Sequence, residues 1–90
     1  MRVKIKLDNG RHYTADISGA LAGWDNEEKK ESYIMFFGWF PVGGTLVEQY
    51  TTHFRNDIAF SLCKKLEKEG AADLSTDYIR DFVVKEDCNQ

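Results

Sequence analysis

Histidine and cysteine, which serve as zinc ligands and in nucleophilic catalysis, are few in this chain of 90 residues. Its strongest metal ligands are two histidines, His12 and His53, and two cysteines, Cys63 and Cys88. None of them has the CxxC, HxxxH or HExxH spacing that brings ligands together on a turn or on one helix face. We therefore expect no metal site and no cofactor.

Residue spacing also disfavours a catalytic cysteine–histidine dyad. His53 and Cys63 fall on one predicted helix at a spacing that separates them by about 15 Å along its axis. Paired carboxylates, as in Glu27-Glu28 and Glu86-Asp87, occur only in polar segments. The Gly43-Gly44-Thr45 run lacks the lysine of a phosphate-binding loop. The sequence thus predicts that the protein is not an enzyme.

Nucleic-acid binding is the next chemistry to consider, because basic side chains cluster near the start of the chain. Asp8 and Asp16 interrupt this cluster, the net charge is −3 and the pI is near 5.3. A nucleic-acid-binding domain is usually strongly basic, and alternating lysines also discourage aggregation at a sheet edge. Binding of nucleic acid is therefore an alternative hypothesis. Its candidate residues are Arg2, Lys4, Lys6, Arg11 and His12.

A β-hairpin over residues 1–17 would carry these basic residues. Apolar and polar residues alternate from Val3 to Leu7 and again from Tyr13 to Ile17, as in half-buried strands. Asp8-Asn9-Gly10 is a turn signal. A three-residue loop with Gly10 in the left-handed conformation keeps each face uniform, whereas a two-residue loop would mix the faces. The predicted cross-strand pairs are Arg2–Asp16, Val3–Ala15, Lys4–Thr14, Ile5–Tyr13 and Lys6–His12.

The rest of the chain contains signals for strands and helices. Phe54, Ile58, Leu62 and Leu66 recur at every fourth residue, which is typical of an amphipathic helix, and Gly70 would end it. Phe82-Val83-Val84 also suits a strand, so the last element has two interpretations, of which we choose the helix. The predicted segments are a long loop over 18–30, aromatic-rich strands over 31–51, a helix over 52–70 and a second helix over 75–85.

This order predicts an α+β fold: an antiparallel four-stranded sheet (ββββ) followed by one or two helices on one face. Five of the eight residues from Tyr33 to Phe40 are aromatic, so both faces of the third strand are apolar. The helices cover only one face. The other face is then open for a partner, unless the loop over 18–30 covers it.

Exposed aromatic side chains of this kind are typical of protein interfaces. Trp24 could instead fold back over one end of the core, whereas Phe60 should face away from the apolar side of its own helix. The candidate protein-binding residues are Trp24, Phe36, Trp39, Phe40 and Phe60.

In size, missing catalytic motifs and aromatic surface, the chain resembles small single-domain proteins that bind and modulate a larger partner, such as phage-encoded host-defence inhibitors. The resemblance implies a non-enzymatic module that docks on a protein partner, either a second copy (a homodimer) or a larger protein. A domain that binds a small apolar ligand is a further alternative.

The expected cellular compartment is inferred from the number of cysteines and from the N-terminal residues. Cys63 and Cys88 are too few for a disulfide framework, and the charged N-terminus lacks the apolar run of a signal peptide. We expect a reduced, cytoplasmic protein that does not enter a membrane. Cys88 falls in a polar tail and is expected to be an exposed thiol.

Overall fold

The computed structural model describes residues 1–7, 9–76, 79 and 82–86. Within them it forms one small α+β domain, as expected, with a six-stranded sheet in the order β5-β1-β2-β3-β4-β6. The predicted sheet of four antiparallel strands is thus enlarged to six strands and is mixed, because β1 and β5 run parallel. The elements are β1 (Arg2–Lys6), β2 (His12–Asn26), β3 (Glu31–Val42), β4 (Thr45–Phe54), α1 (Ile58–Glu69), β5 (Ala71–Asp73) and β6 (Val83–Glu86).

The first hairpin has the predicted register. All five predicted cross-strand pairs between β1 and β2 are present. Gly10 has a φ of +83°, and hydrogen bonds from Leu7 N–H to Arg11 O and from Gly10 N–H to Leu7 O close the loop. Because a shift by one residue would turn every apolar side chain to the wrong face, the alternating pattern was sufficient to determine this pairing.

The predicted long loop over 18–30 is wrong, because β2 continues through it to Asn26 and pairs with β3 along this stretch. Two glycines of this stretch are explained by the bulky residues that they face on β3. Gly23 lies under the Tyr33 ring, and Gly19 lies opposite Phe37. A glycine opposite an aromatic ring gives the ring a flat surface on which to lie, so what resembles a flexible linker is a strand matched to a bulky neighbour.

The predicted helix over 52–70 begins six residues too early. Thr52 and Phe54 are buried strand residues that pair with Ile34 and Ser32 of β3, and this pairing extends β4 up to the turn. The Asn56 side chain accepts the N–H of Ile58 at 3.0 Å, which satisfies a free donor in the first turn of α1. The C-terminal end is as predicted: Gly70 adopts a left-handed φ of +77° and donates its N–H to Leu66 O.

The predicted second helix over 75–85 is wrong at its end, where the chain forms a strand, whereas Ile79 inside the predicted range is helical. Val83–Glu86 form β6, which runs antiparallel to Thr52–Phe54 of β4. The β-branched Val83 suits a strand, and the pairing with β4 outweighs the helical periodicity. Asp77, Tyr78, Arg80, Asp81 and Cys88 lie outside the described residues.

The core lies between α1 and one face of the sheet. Ala59, Leu62 and Leu66 form the buried stripe of α1. The sheet contributes the inward side chains of every second residue, and burial of this apolar area is the main stabilising term. The buried sheet residues include Val3, Ile5, Ala15, Ile17, Ile34, Phe36, Phe40, Tyr50 and Phe54.

Candidate functional site

The sheet face opposite α1 is the candidate site, and we call it the open face. Directly paired residues on neighbouring strands point to the same side of a sheet. Because Ala20, Phe36 and Tyr50 form one inward row, the residues between such rows point away from α1. The outward rows across β2, β3 and β4 are Gly19–Phe37–Gln49, Leu21–Met35–Thr51 and Gly23–Tyr33–His53.

Large apolar side chains run along the middle of the open face. Leu21 is 51% exposed and Trp39 is 56% exposed, whereas Tyr33, Met35 and Phe37 are half-buried. We call these five residues the apolar row. Contiguous apolar side chains on the surface of a small protein are typical of an interaction site, whereas single ones are common anywhere.

A bulge in β3 forms a depression at one end of this row. Phe37 pairs with Gln49 but Phe40 pairs with Val47, so β3 carries one extra residue there. The depression encloses about 310 Å³, with Phe37 and Trp39 among its walls. Its polar lining is provided by Asp16, Ser18, Glu48 and Gln49.

The backbone around the depression is held closely. A Cβ atom on Gly38 would lie 2.8 Å from the Asp16 carbonyl oxygen, so β2 and β3 approach there as only glycine permits. Tyr13 donates its hydroxyl to Trp39 O at 2.9 Å, and Ser18 donates its hydroxyl to Phe37 O at 3.2 Å. These bonds hold the two aromatic residues from the neighbouring strand.

An aspartate–histidine pair lies at the other end of the row. His53 Nδ1 is 2.7 Å from Asp25 Oδ2, and the His53 ring is 6.4 Å from the Tyr33 ring. The bond orients the imidazole, but in the described part of the chain no three His, Cys, Asp or Glu side chains come close enough to hold a metal ion. The pair therefore adds a polar boundary to the apolar row.

Of the five residues predicted for protein binding, the structure leaves only Trp39 in the apolar row. Phe36 and Phe40 are 0% exposed and belong to the core. Trp24 and Phe60 pack on each other at the helix side of the sheet, with ring centroids 4.7 Å apart, and Lys30 Nζ lies 5.3 Å from the Trp24 ring. Trp24 is thus half-buried against α1, on the side of the sheet that the alternative interpretation gave it.

Sequence reasoning missed Leu21, Tyr33, Met35 and Phe37. The alternation in β3 already divides its residues into two sets, but either set could have faced the helix. The bulky residues of the even-numbered set, Ile34 and Phe36, face α1, together with Ala20 and Ala22 of β2. Continuation of β2 through the glycines would have been the signal, because it places Gly19 and Gly23 opposite the Phe37 and Tyr33 rings.

The basic residues of the first hairpin are interleaved with carboxylates. Arg2 Nε lies 3.5 Å from Asp16 Oδ1, and Lys4 pairs across β1 and β5 with Asp73. Burial raises the pKa of Asp73, but hydrogen bonds from Ser75, together with Lys4 and His12, outweigh this effect and hold the pKa below its usual value.

The remaining three basic candidates lie near the loop. Lys6 pairs with His12, and Arg11 donates its backbone N–H to Asn9. A second depression, of about 390 Å³, lies at the β5 edge. Five of its lining residues are charged, and the others are Thr14, Ala71 and Ala72.

Comparison with known proteins adds no relative. No protein-family model matches the chain, and neither a curated protein nor a solved structure matches it. Among the described residues, no helix is both long and apolar enough to cross a membrane.

Proposed function

We propose that this protein is a non-enzymatic protein-binding module whose open face docks on a protein partner, either a second copy or a larger protein that it modulates. The apolar row is the observation that supports this proposal. Tyr33, Phe37 and Trp39 are aromatic side chains of the kind that dominate binding energy at protein interfaces. Leu21 and Met35 join them across two strands.

The rest of the described chain leaves this face accessible. Most of the segment over 18–30, which could have folded over the sheet, belongs to β2 up to Asn26, and residues 27–30 form the turn to β3. Leu21 in this segment is one of the exposed residues. The helix lies on the opposite side. A partner would therefore remove from water those parts of the apolar row that the described structure leaves exposed.

The experiment compares serine substitutions on the two sides of the sheet. Leu21→Ser and Trp39→Ser change the apolar row, and Lys64→Ser places the same residue on the exposed side of α1 as a control. Light scattering at several concentrations measures self-association, and recovery on the immobilised full chain measures a larger partner. We expect the row variants to remain folded and to reduce association at least about tenfold, a loss of roughly 1.4 kcal/mol.

Two results would contradict the proposal. One is row variants that associate as the unmodified chain does. The other is recovery of nucleic acid in place of protein, with an affinity that falls steeply with salt and is lost in Lys4→Glu/Lys6→Glu. That second result would favour the alternative function.

A reducing, cytoplasmic setting belongs to the same proposal. Cys63 is a free, half-buried thiol. Burial and the nearby Glu67 carboxylate raise the pKa of Cys63, which keeps the thiol protonated and poorly reactive. This is consistent with a structural cysteine in a reduced protein.

A further inference from the structure

We propose that the depression beside Trp39 receives an arginine side chain presented by the partner. This inference rests on the proposed function, because it takes the occupant to be a protein, and it adds the chemistry that the partner must provide. The supporting evidence is the charge of the lining, the aromatic walls, the size of the depression and its rigidity.

The lining is complementary to a cation. Its two ionisable side chains, Asp16 and Glu48, are both carboxylates. Arg2 lies near one of them, but its contact to Asp16 is 3.5 Å and the two side chains are 73% and 90% exposed, so the pair is weak and readily exchanged. A cation entering from a partner would meet two lining carboxylates, and the ion pair that one of them makes is this exposed contact with Arg2.

The aromatic walls favour arginine over lysine. Phe37 and Trp39 both line the depression, and an indole face attracts a cation electrostatically. A guanidinium group is planar, so it stacks on a ring while its N–H donors point outward in the plane toward carboxylates. A lysine ammonium is compact and strongly hydrated, so it would gain less from the same walls.

The remaining polar groups can accept hydrogen bonds. The Ser18 hydroxyl donates to Phe37 O, which leaves its oxygen able to accept an N–H. Gln49 also lines the depression, and an amide oxygen can accept an N–H. At about 310 Å³ the depression is at the small end of ligand sites, which fits a single side chain.

The depression is also formed in advance. Gly38 brings β3 against the backbone of β2, and the Tyr13 hydroxyl holds the carbonyl of Trp39. A site whose walls are already positioned loses little entropy on binding. A guanidinium group could therefore bind without rearrangement of the sheet.

The test titrates the full chain with acetyl-Gly-Arg-Gly-amide at constant ionic strength. The chain has two tryptophans, so the Trp24→Phe background makes Trp39 fluorescence specific to the depression. The control peptide carries citrulline, which has nearly the shape of arginine without its charge. We expect saturable binding of the arginine peptide and at least about tenfold weaker binding of the citrulline peptide.

Matched variants locate the effect. Asp16→Asn and Glu48→Gln should each weaken the arginine peptide severalfold, whereas Glu67→Gln on the exposed side of α1 should leave it unchanged. Equal binding of the two peptides, no saturable response, or insensitivity to both carboxylate variants would overturn the proposal.

Failure of this inference can be told apart from failure of the proposed function. If the row variants lose association while the arginine titration is flat, the open face binds a protein but the depression does not take arginine. If the arginine peptide binds and no association depends on the row, the depression is a guanidinium site and the protein-docking proposal is wrong.

Discussion

At the residue scale, three glycines determine how closely the strands of the open face can approach. A Cβ atom on Gly38 would meet backbone at 2.8 Å, one on Gly23 would meet the Tyr33 hydroxyl at 2.6 Å, and one on Gly19 would meet the Phe37 ring at 3.8 Å. A backbone obstacle cannot move without shifting a strand. A side-chain obstacle can rotate away, and a contact of 3.8 Å needs no adjustment.

These contacts predict an order of stability for three alanine substitutions. Gly38→Ala should lower the free energy of unfolding by about 1–3 kcal/mol, the usual cost of overpacking. Gly23→Ala should cost less, because the Tyr33 ring can swing off the strand. Gly19→Ala should be neutral or slightly stabilising, because glycine is unfavourable inside a strand.

Urea denaturation of the three variants checks this order, with Gly19→Ala as the internal control. A Gly38→Ala protein as stable as the unmodified chain would mean that β2 and β3 are not held together at the bulge.

The Asp73 carboxylate predicts a pH dependence of stability. Its pKa in the folded chain lies below the usual value of 3.8, because Ser75, Lys4 and His12 outweigh the effect of burial. A lowered pKa contributes stability above pH ~4 that disappears as the pH falls through the folded value. The contribution should be at most about 1 kcal/mol, because the side chain is exposed and solvent screens it.

Urea midpoints at pH 6 and pH 2.5 measure this contribution. The difference between the unmodified chain and Asp73→Ala should be present at pH 6 and should shrink at pH 2.5. Ser75→Ala removes the hydroxyl that donates to Asp73 and should reduce the same difference. An Asp73→Ala effect that is equal at both pH values would show that the effect does not come from the charge.

At the element scale, Trp24 joins the β2–β3 hairpin to α1. Its ring packs on Phe60 at a centroid distance of 4.7 Å and is covered by Lys30. Trp24→Ala should therefore destabilise the fold by about 2–3 kcal/mol, somewhat less than for a fully buried tryptophan. Trp39→Ala removes the same side chain from an exposed position and should cost less than about 0.5 kcal/mol.

Thermal denaturation of the two variants separates a structural tryptophan from a surface one. Equal losses would contradict the placement of Trp24 on the helix side. A large loss at Trp39 alone would mean that the apolar row belongs to the core and is not a docking surface.

At the scale of the whole molecule, one helix covers at most one face of the sheet, and not the whole width of that face. A helix of 12 residues is about 18 Å long and roughly 10 Å wide, whereas six strands spaced by about 4.8 Å span more than 20 Å. The described part of the chain provides one α-helix, so one face keeps its apolar residues in contact with solvent. Both proposals place the partner on that side, and the Leu21→Ser and Trp39→Ser experiment tests this placement directly.

Several features follow from local sequence alone. The alternation of residues 2–7 and 12–17 determined the first hairpin and its register, because any other pairing mixes polar and apolar faces. Gly70 marked the end of α1, because a left-handed residue there is cheap only for glycine. The scarcity of ligand residues at metal-binding spacing, which led us to expect no metal site, is likewise a property of the sequence.

Only the tertiary structure decided which side of β3 is exposed. Tyr33, Met35 and Phe37 are as apolar as Ile34, Phe36 and Phe40, so composition cannot distinguish the two sets. The choice depends on contacts distant in sequence: α1 packs against the second set, and the glycines of β2 lie under the first. Likewise, β4 extends to Phe54 and β6 is a strand because these segments pair with one another, which outweighs their local helical preference.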